Sequence, residues 1–419
     1  MRILHITPRY YPAQGGAEHY WREISNRLAA RGHDVTILTS DAGHFEYFWD
    51  SAQARLAEPA GWDGAVTIHR LPLRHWPGGQ WGYRAWRRLL WLADRAGAPL
   101  SLLNWLARQT PRLPALWHYL DRLSEPFDLV AGINSAYEQF SLAGLHFARR
   151  RGLPFVYYPL THLGAGPAPA RDNLSQFYTQ RHQIALAQQS DALVTITPTE
   201  ADFYAAQGIE RAAIRVAEPG FARGPAGNGA RWRQTHDVTG PIVLFLGTFS
   251  ADKGINQLLA AAQQLWADDH EFTLTLAGHP TAPFQAQLAA LPAPDQARIQ
   301  LHIALPESDK QDLLAAADML VLPSRVESFG IVYLEAWAYE KPVIAARTWG
   351  VQEDVVHHEK DGLLVDFGDS AGLAAAIKRL LLDHALAAKL GATGQQNLAR
   401  RYHWPDKIDI IEALYQELA

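Results

Sequence analysis

The 419-residue chain contains no cysteine. Disulfide stapling and thiolate chemistry are therefore excluded, and a structural zinc site loses its commonest ligand. Lysine is missing from the whole of residues 1–218, where 22 arginines face 19 acidic residues. The remainder is acidic, with 16 basic against 24 acidic side chains, so the two halves present different surfaces. No apolar run reaches the roughly 18–20 residues that cross a bilayer; the best are cut by residues such as Asp318. The opening MRILHIT reads as a strand rather than as a signal peptide. There is no visible repeat, and a sequence pI near 6.4 excludes the strongly basic footprint of a nucleic-acid binder. Neither GxGxxG nor GxxxxGK[ST] opens a helix, which removes the dinucleotide fingerprint and the P-loop. The string GAGPAPA (164–170) contains two prolines and precedes no obvious helix, so it is set aside.

What is present is a globular composition: 48% hydrophobic and 19% charged, enough for a sizeable core in two or three domains. The default expectation is a cytoplasmic, multi-domain α/β protein. Apolar runs of strand length alternate with helix-period segments, the pattern of parallel sheets with crossover helices. Strands are predicted at 3–7, 35–39, 66–71, 129–133, 155–158, 193–197 and 214–217. Helices are predicted at 17–31, 137–151, 174–189 and 199–207. EPGFARGPAGNG (218–229) is rich in glycine and proline and reads as a linker. Beyond it the alternation restarts with strands at 242–247, 273–278, 299–303, 319–323 and 342–346, separated by helices at 255–266, 307–316, 330–339 and 370–382. The expected fold is α/β: two doubly wound Rossmann-like domains facing a cleft, where open parallel sheets bind ligands at their strand ends.

Three segments carry chemistry. In PRYYPAQGGAEHY (8–20), Gly15 and Gly16 would let backbone amides approach an anion at a helix N-terminus, or make an ordinary glycine turn. In GTFSADKG (247–254), Lys253 stands at the start of a helix, where a cation opposes the dipole unless an anion binds nearby; the alternative is a solvated lysine. In LPSRVESFGIVYLEAWAYEKPVIA (322–345), Glu327 lies in a loop and Glu335 about two turns into the next helix. Between them Phe329, Gly330 and Ile331 would offer free amides at that helix N-terminus. Two such carboxylates could grip hydroxyls on either side of a phosphate. Against a purely structural reading, Glu335 sits in the apolar run IVYLEAWA, where an unpaired buried carboxylate is costly.

With these segments together, the chain resembles, nearly end to end, a retaining glycosyltransferase of the GT-B fold, family 4. The Glu-x7-Glu signature from Glu327 to Glu335 is the most specific element. GGAEHY, TPTEADFYAAQGI (197–209), the Pro219-Gly220 turn, ADKGINQLL, DGLLVDFGD and HWPDKIDIIEALY support it. The resemblance implies an N-terminal acceptor-side domain (1–218), a nucleotide-sugar-binding domain (219–400) and a last helix (401–419) crossing back to the first domain. It implies that Gly15, Gly16, Gly247, Thr248 and Lys253 meet the donor diphosphate. Glu327 and the amides of Phe329, Gly330 and Ile331 then hold sugar hydroxyls and phosphate, Glu335 the ribose, and His162, in YYPLTH, faces the transferred sugar. Glu327, Lys253 and His162 are the expected catalytic residues. The donor is expected to be UDP- or GDP-linked, the acceptor a glycan or lipid-linked sugar, and no metal or other cofactor is required. Two positions depart from the family. Thr248 stands where an arginine usually joins the lysine on the diphosphate, and Ala222 replaces the aspartate of the Pro-Gly-x-Asp turn. Thr248 also supports the rival expectation of a non-catalytic nucleotide-sugar-binding or scaffolding protein.

Residues 70–122 stand apart, with nine arginines, two aspartates, no lysine or glutamate, and six of the 14 tryptophans. A helix over 84–96 would gather Ala85, Trp86, Leu89, Leu90, Leu92, Ala93 and Ala96 on one side. Arg84, Arg87, Arg88, Asp94 and Arg95 would lie on the other, with Trp91 among them. Such a helix packs on its own domain or lies in the headgroup plane of an anionic membrane; the arginine excess favours the second, at the inner face of the membrane.

Overall fold

The computed structural model describes residues 1–419. The chain forms two compact units. One comprises Met1–Thr161, Asn173–Pro219 and Pro405–Ala419; the other comprises His162–Asp172 and Gly220–Trp404. The change at 219/220 falls within the glycine- and proline-rich linker. Two segments differ from expectation: 162–172 joins the second unit, and the last helix begins at Trp404 rather than at 401.

The first unit holds an eight-stranded sheet. Its strands are β1 (Arg2–Ile6), β2 (Asp34–Ser40), β3 (Ala60–Asp63), β4 (Val66–Leu71), β5 (Leu129–Ile133), β6 (Phe155–Tyr158), β7 (Ala192–Thr195) and β8 (Ile214–Val216). The order is β3-β4-β2-β1-β5-β6-β7-β8, parallel except for β3, which pairs antiparallel with β4. β5 and β6 are buried at every position, so they read as unbroken apolar runs, as strands covered on both faces do. β3 was not expected, because its residues are mostly exposed and only Gly64, in the two-residue Gly64-Ala65 turn, marks the hairpin.

The Trp404–Leu418 helix belongs to this unit through named contacts. The Tyr415 hydroxyl lies 2.9 Å from that of Tyr158 and 3.2 Å from Nε2 of His5. Lys407 pairs with Glu218 at 3.0 Å, and Glu412 meets His33 at 2.7 Å and Arg31 at 2.5 Å.

Helix α1 (Gly16–Ala30) covers β1 and β2. Helices α2 (Gly79–Arg95) and α3 (Leu100–Ala107) pack on each other around Leu90, Leu103, Leu106 and Ala107, with Trp86 and Ala93 beside them. The apolar arc predicted for 84–96 is therefore split. Trp86, Leu90 and Ala93 turn inwards, while Leu89 and Leu92, with Trp81, are exposed. Arg87 was expected on the polar side, but it points inwards and pairs with Glu138 at 3.1 Å, itself 2.8 Å from Nε2 of His182.

The second unit holds six parallel strands: β9 (Ile242–Leu246), β10 (Thr273–Ala277), β11 (Ile299–His302), β12 (Met319–Leu322), β13 (Val343–Ala346) and β14 (Gly362–Val365). Their order is β11-β10-β9-β12-β13-β14. β14, in DGLLVDFGD, was not among the expected strands. No helix in either unit is long and apolar enough to cross a membrane.

Candidate active site

The central strands of the second sheet, β9 and β12, run side by side and end in two loops that are fastened together. Asp252, in the loop after β9, accepts from Arg325, in the loop after β12, at 2.5 Å; the Arg325 amide donates to the Asp252 carbonyl at 2.9 Å. One residue further on, Lys253 donates to Glu327 at 2.7 Å and to the carbonyl of Val326 at 2.9 Å. An ammonium has three N–H donors, so one remains for a ligand. Lys253 closes a 3-10 turn directly before the Ile255–Ala267 helix, where the sequence places it.

Gly330 caps the Ile331–Trp337 helix with φ of 85°, and a Cβ there would strike the Tyr333 ring. Only glycine fits that turn without strain. The amides of Phe329, Gly330 and Ile331 stand at this helix start, where the backbone has no partner within the helix. Buried Tyr333 anchors the helix by donating to the Leu322 carbonyl at 3.0 Å, and Trp337 does so to Asp361 at 3.0 Å. The helix is shorter than expected and begins at Ile331, so Glu335 lies little more than one turn in, rather than two. Glu335 is not an unpaired buried carboxylate: Lys310, from the Glu307–Ala316 helix, donates to it at 2.8 Å and to Glu307 at 2.9 Å. Burial works against the charged form of Lys310, but Glu335 and Glu307 outweigh it and raise its pKa.

His162 is part of this unit, close enough to Lys253 and Glu327 for both charges to act on its ring. Burial, reinforced by Lys253 and opposed by Glu327, pushes it down to about 4, so the imidazole is neutral at neutral pH. Gly247 and Thr248 head the β9 loop. The Gly247 amide is spent on the carbonyl of Ala277 at 2.9 Å, so it has no N–H to give a phosphate. Gly15 and Gly16 stand in the first unit, at the head of α1. Arg9 lies beside them, paired with Glu18 at 2.7 Å and donating to the Gln14 carbonyl at 3.2 Å. The structure thus gathers Lys253, Glu327, Glu335, His162 and the 329–331 amides in one unit and leaves the glycine pair in the other. Sequence reasoning missed Lys310, Arg325 and Arg9. Lys310 pairs across 25 residues between two helices, and no local spacing announces that. No group of three or more His, Asp or Glu side chains is arranged to hold a metal ion.

Comparison with known proteins gives the family of both halves of the chain. Residues 15–220 match the family model described as glycosyl transferase 4-like domain, and residues 229–397 match glycosyl transferases group 1. A D-inositol 3-phosphate glycosyltransferase of Acidothermus cellulolyticus is 33% identical, over 100% of this chain and 89% of its own length. The lipopolysaccharide core biosynthesis glycosyltransferase LpsE of Rhizobium meliloti is 28% identical over 99% of each chain. Among solved structures, a sucrose-phosphate synthase of Thermosynechococcus elongatus superposes with a TM-score of 0.72 at 21% identity, covering 100% and 98% of the two chains. Anabaena HepE in complex with UDP superposes with a TM-score of 0.67 at 19% identity over the full length of both. Matched by glycosyltransferase models in both halves and by full-length relatives at this level of identity, the chain belongs to the family 4 glycosyltransferases of the GT-B fold.

Proposed function

We propose that the chain is a retaining, metal-independent hexosyltransferase that moves a sugar from a nucleoside diphosphate sugar to an acceptor hydroxyl, in synthesis of a glycan, glycolipid or cell-surface polysaccharide. The observation that carries this reading is the Lys253–Glu327 pair, set at 2.7 Å before the glycine-capped helix that bears Glu335. Lys253 and the 329–331 amides meet the diphosphate, where charge develops as the leaving group departs. Glu327 takes sugar hydroxyls, and Glu335, held by Lys310, takes the ribose. Gly15 and Gly16 take a role at the diphosphate by the family resemblance. Neutral His162 accepts or donates one hydrogen bond to the transferred sugar and supplies no net charge.

In the front-face route the bond from the anomeric carbon to the diphosphate oxygen breaks. The acceptor oxygen bonds to the same face, and its proton passes to the departing diphosphate. UDP is the first donor to test, since HepE was solved with UDP and with UDP-glucose. Acceptors of inositol phosphate or lipopolysaccharide-core type follow from the names of the relatives. The test is turnover of a panel of UDP-, GDP- and ADP-sugars, with the anomeric configuration of the product read by NMR. Retention supports the reading and inversion overturns the retaining mechanism. Tight binding with no turnover, not even slow hydrolysis, would favour the non-catalytic rival that Thr248 suggests.

A lipid-linked acceptor would place the protein peripherally at the inner face of the membrane, against the segment 70–122. There Trp81, Leu89, Leu92, Leu100, Leu102 and Trp105 are exposed, beside exposed Arg84, Arg88 and Arg95. Each arginine contributes about 1 kcal/mol near an anionic surface. Co-sedimentation with anionic liposomes should be weakened by salt and by Arg84→Glu, Arg88→Glu and Arg95→Glu; Arg87 is left intact because it pairs with Glu138. Equal partition onto neutral and anionic vesicles, or none onto either, would overturn the membrane contact.

A further inference from the structure

The string 164–170, set aside as a phosphate motif, lies in the segment 162–172 that joins the second unit. The segment is closed on itself by Ala170 N–H to the Leu163 carbonyl at 2.8 Å and Ala165 N–H to the Asp172 carboxylate at 2.8 Å. Gly164 has φ of 78°, and a Cβ there would run into that carboxylate. The segment begins with His162, and both sides of that residue are fastened. Before it, the Thr161 amide donates to buried Glu200 at 2.6 Å, and the Thr161 hydroxyl lies 2.8 Å from that of Tyr204. After it, Trp349 takes hold: its amide donates to the Gly164 carbonyl at 2.9 Å, and its indole Nε1–H donates to the Gly166 carbonyl at 2.9 Å. Trp349 is itself rigidly placed. Arg347 N–H donates to the Val365 carbonyl of β14 at 2.8 Å, and buried Thr348 caps the turn of residues 351–354 through its carbonyl.

We propose that Trp349 is a positioning residue for the glycosyl transfer, clasping the 162–172 segment so that His162 is held towards Lys253 and Glu327. The inference rests on the reading that His162 faces the transferred sugar. A side chain displaced by about 1 Å loses about a hundredfold in rate, because a hydrogen bond to a reacting group is sharply directional. Trp349 touches no reacting atom; it acts through the two carbonyls that follow the histidine.

The test is a double-mutant cycle on the full chain, with donor turnover and donor KM measured for Trp349→Phe, His162→Ala and both together. Phenylalanine keeps one aromatic ring, loses the pyrrole ring with its Nε1–H bond to Gly166, and leaves the main-chain bond to Gly164 in place. Trp349→Phe should lower kcat about tenfold with KM nearly unchanged, and should add nothing to His162→Ala. A slow His162→Ala with fully additive Trp349→Phe would overturn the clasp. A silent His162→Ala would instead overturn the reading of His162 on which the clasp rests. Hydrogen exchange decides independently of activity. Trp349→Phe should speed exchange of Ala165 and Ala170 and leave the β9 and β12 amides unchanged; unaltered exchange in 162–172 counts against the clasp. Should Trp349→Phe fold poorly, Gly164→Ala strains the same segment from within and should show the same non-additivity with His162→Ala.

Discussion

The two units treat their charged pairs in opposite ways. In the first, Glu138 and His182 are each 1% exposed, and Arg87 of α2, 17% exposed, pairs with that enclosed carboxylate. In the second, Lys253 and Glu327 are 26% and 14% exposed, and Lys310 and Glu335 are 22% and 17%. A fully enclosed pair has no exchange partner and serves to lock α2 to the Rossmann core. A half-exposed pair can trade one of its contacts for a ligand at small cost, since water already screens part of the attraction. The difference separates carboxylates that hold the fold from carboxylates within reach of a substrate, although the sequence shows both simply as glutamate.

The largest effect should come from the enclosed pair. Glu138→Ala removes the enclosed carboxylate that both Arg87 and His182 face and should cost about 3–5 kcal/mol of stability in urea unfolding. A loss below about 1 kcal/mol would break the comparison, because the pair would then behave like a surface one.

The half-exposed pairs should show the reverse. Glu327→Gln should lower turnover roughly a hundredfold while stability changes by less than about 1 kcal/mol. Glu335→Ala should act mainly on nucleotide affinity, since ribose contacts are equal in ground and transition states. Wild-type kinetics for both variants would remove these residues from the site.

A smaller effect sharpens the account of the diphosphate. Thr248→Arg should tighten nucleoside diphosphate binding by about 1–3 kcal/mol, read by calorimetry. Unchanged binding would mean that another cation already fills the role, and Arg325 is then the first to replace with alanine. Arg325 reaches the β9 loop through Asp252.

The smallest effect concerns pH. Burial pushes His5 down to about 3 and His162 to about 4, both from 6.5. Below pH 6.5 the unfolded chain takes protons that the native chain refuses, so stability falls as pH falls through that window. Glu200 acts in the opposite sense, because burial raises it from 4.5 to about 7 and the native state keeps its proton longer. His5→Gln should therefore flatten the dependence of stability on pH between about 4 and 6 by nearly one proton. An unchanged slope would show that His5 titrates normally in the fold.

Much of the architecture was legible because each strand buried on both faces must be an apolar run, and each crossover helix must show a 3.6-residue period. β4, β5 and β6 fall on the expected residues, and Lys253 sits at its helix start as its position after β9 requires. Exposed β3 carries no such constraint and went unseen. On α2 the apolar arc was visible, but periodicity cannot say which part of a wide arc meets α3 and which meets solvent. Glu327 and Glu335 could be picked out by spacing and by the cost of a charge in an apolar run.

Their partners could not be read in the same way. The chain alone determined two parallel α/β sheets, a break near 218–229 and the short strings that carry glycine, lysine and glutamate, because these depend on local periodicity and local backbone freedom. Only the tertiary structure decided that Lys310 neutralises Glu335, that Arg87 serves Glu138 instead of the surface, and that Trp349 fastens the segment after His162. Each of these joins residues from separate elements. An ion pair or hydrogen bond between distant residues depends on where the sheets place them, which no local pattern encodes.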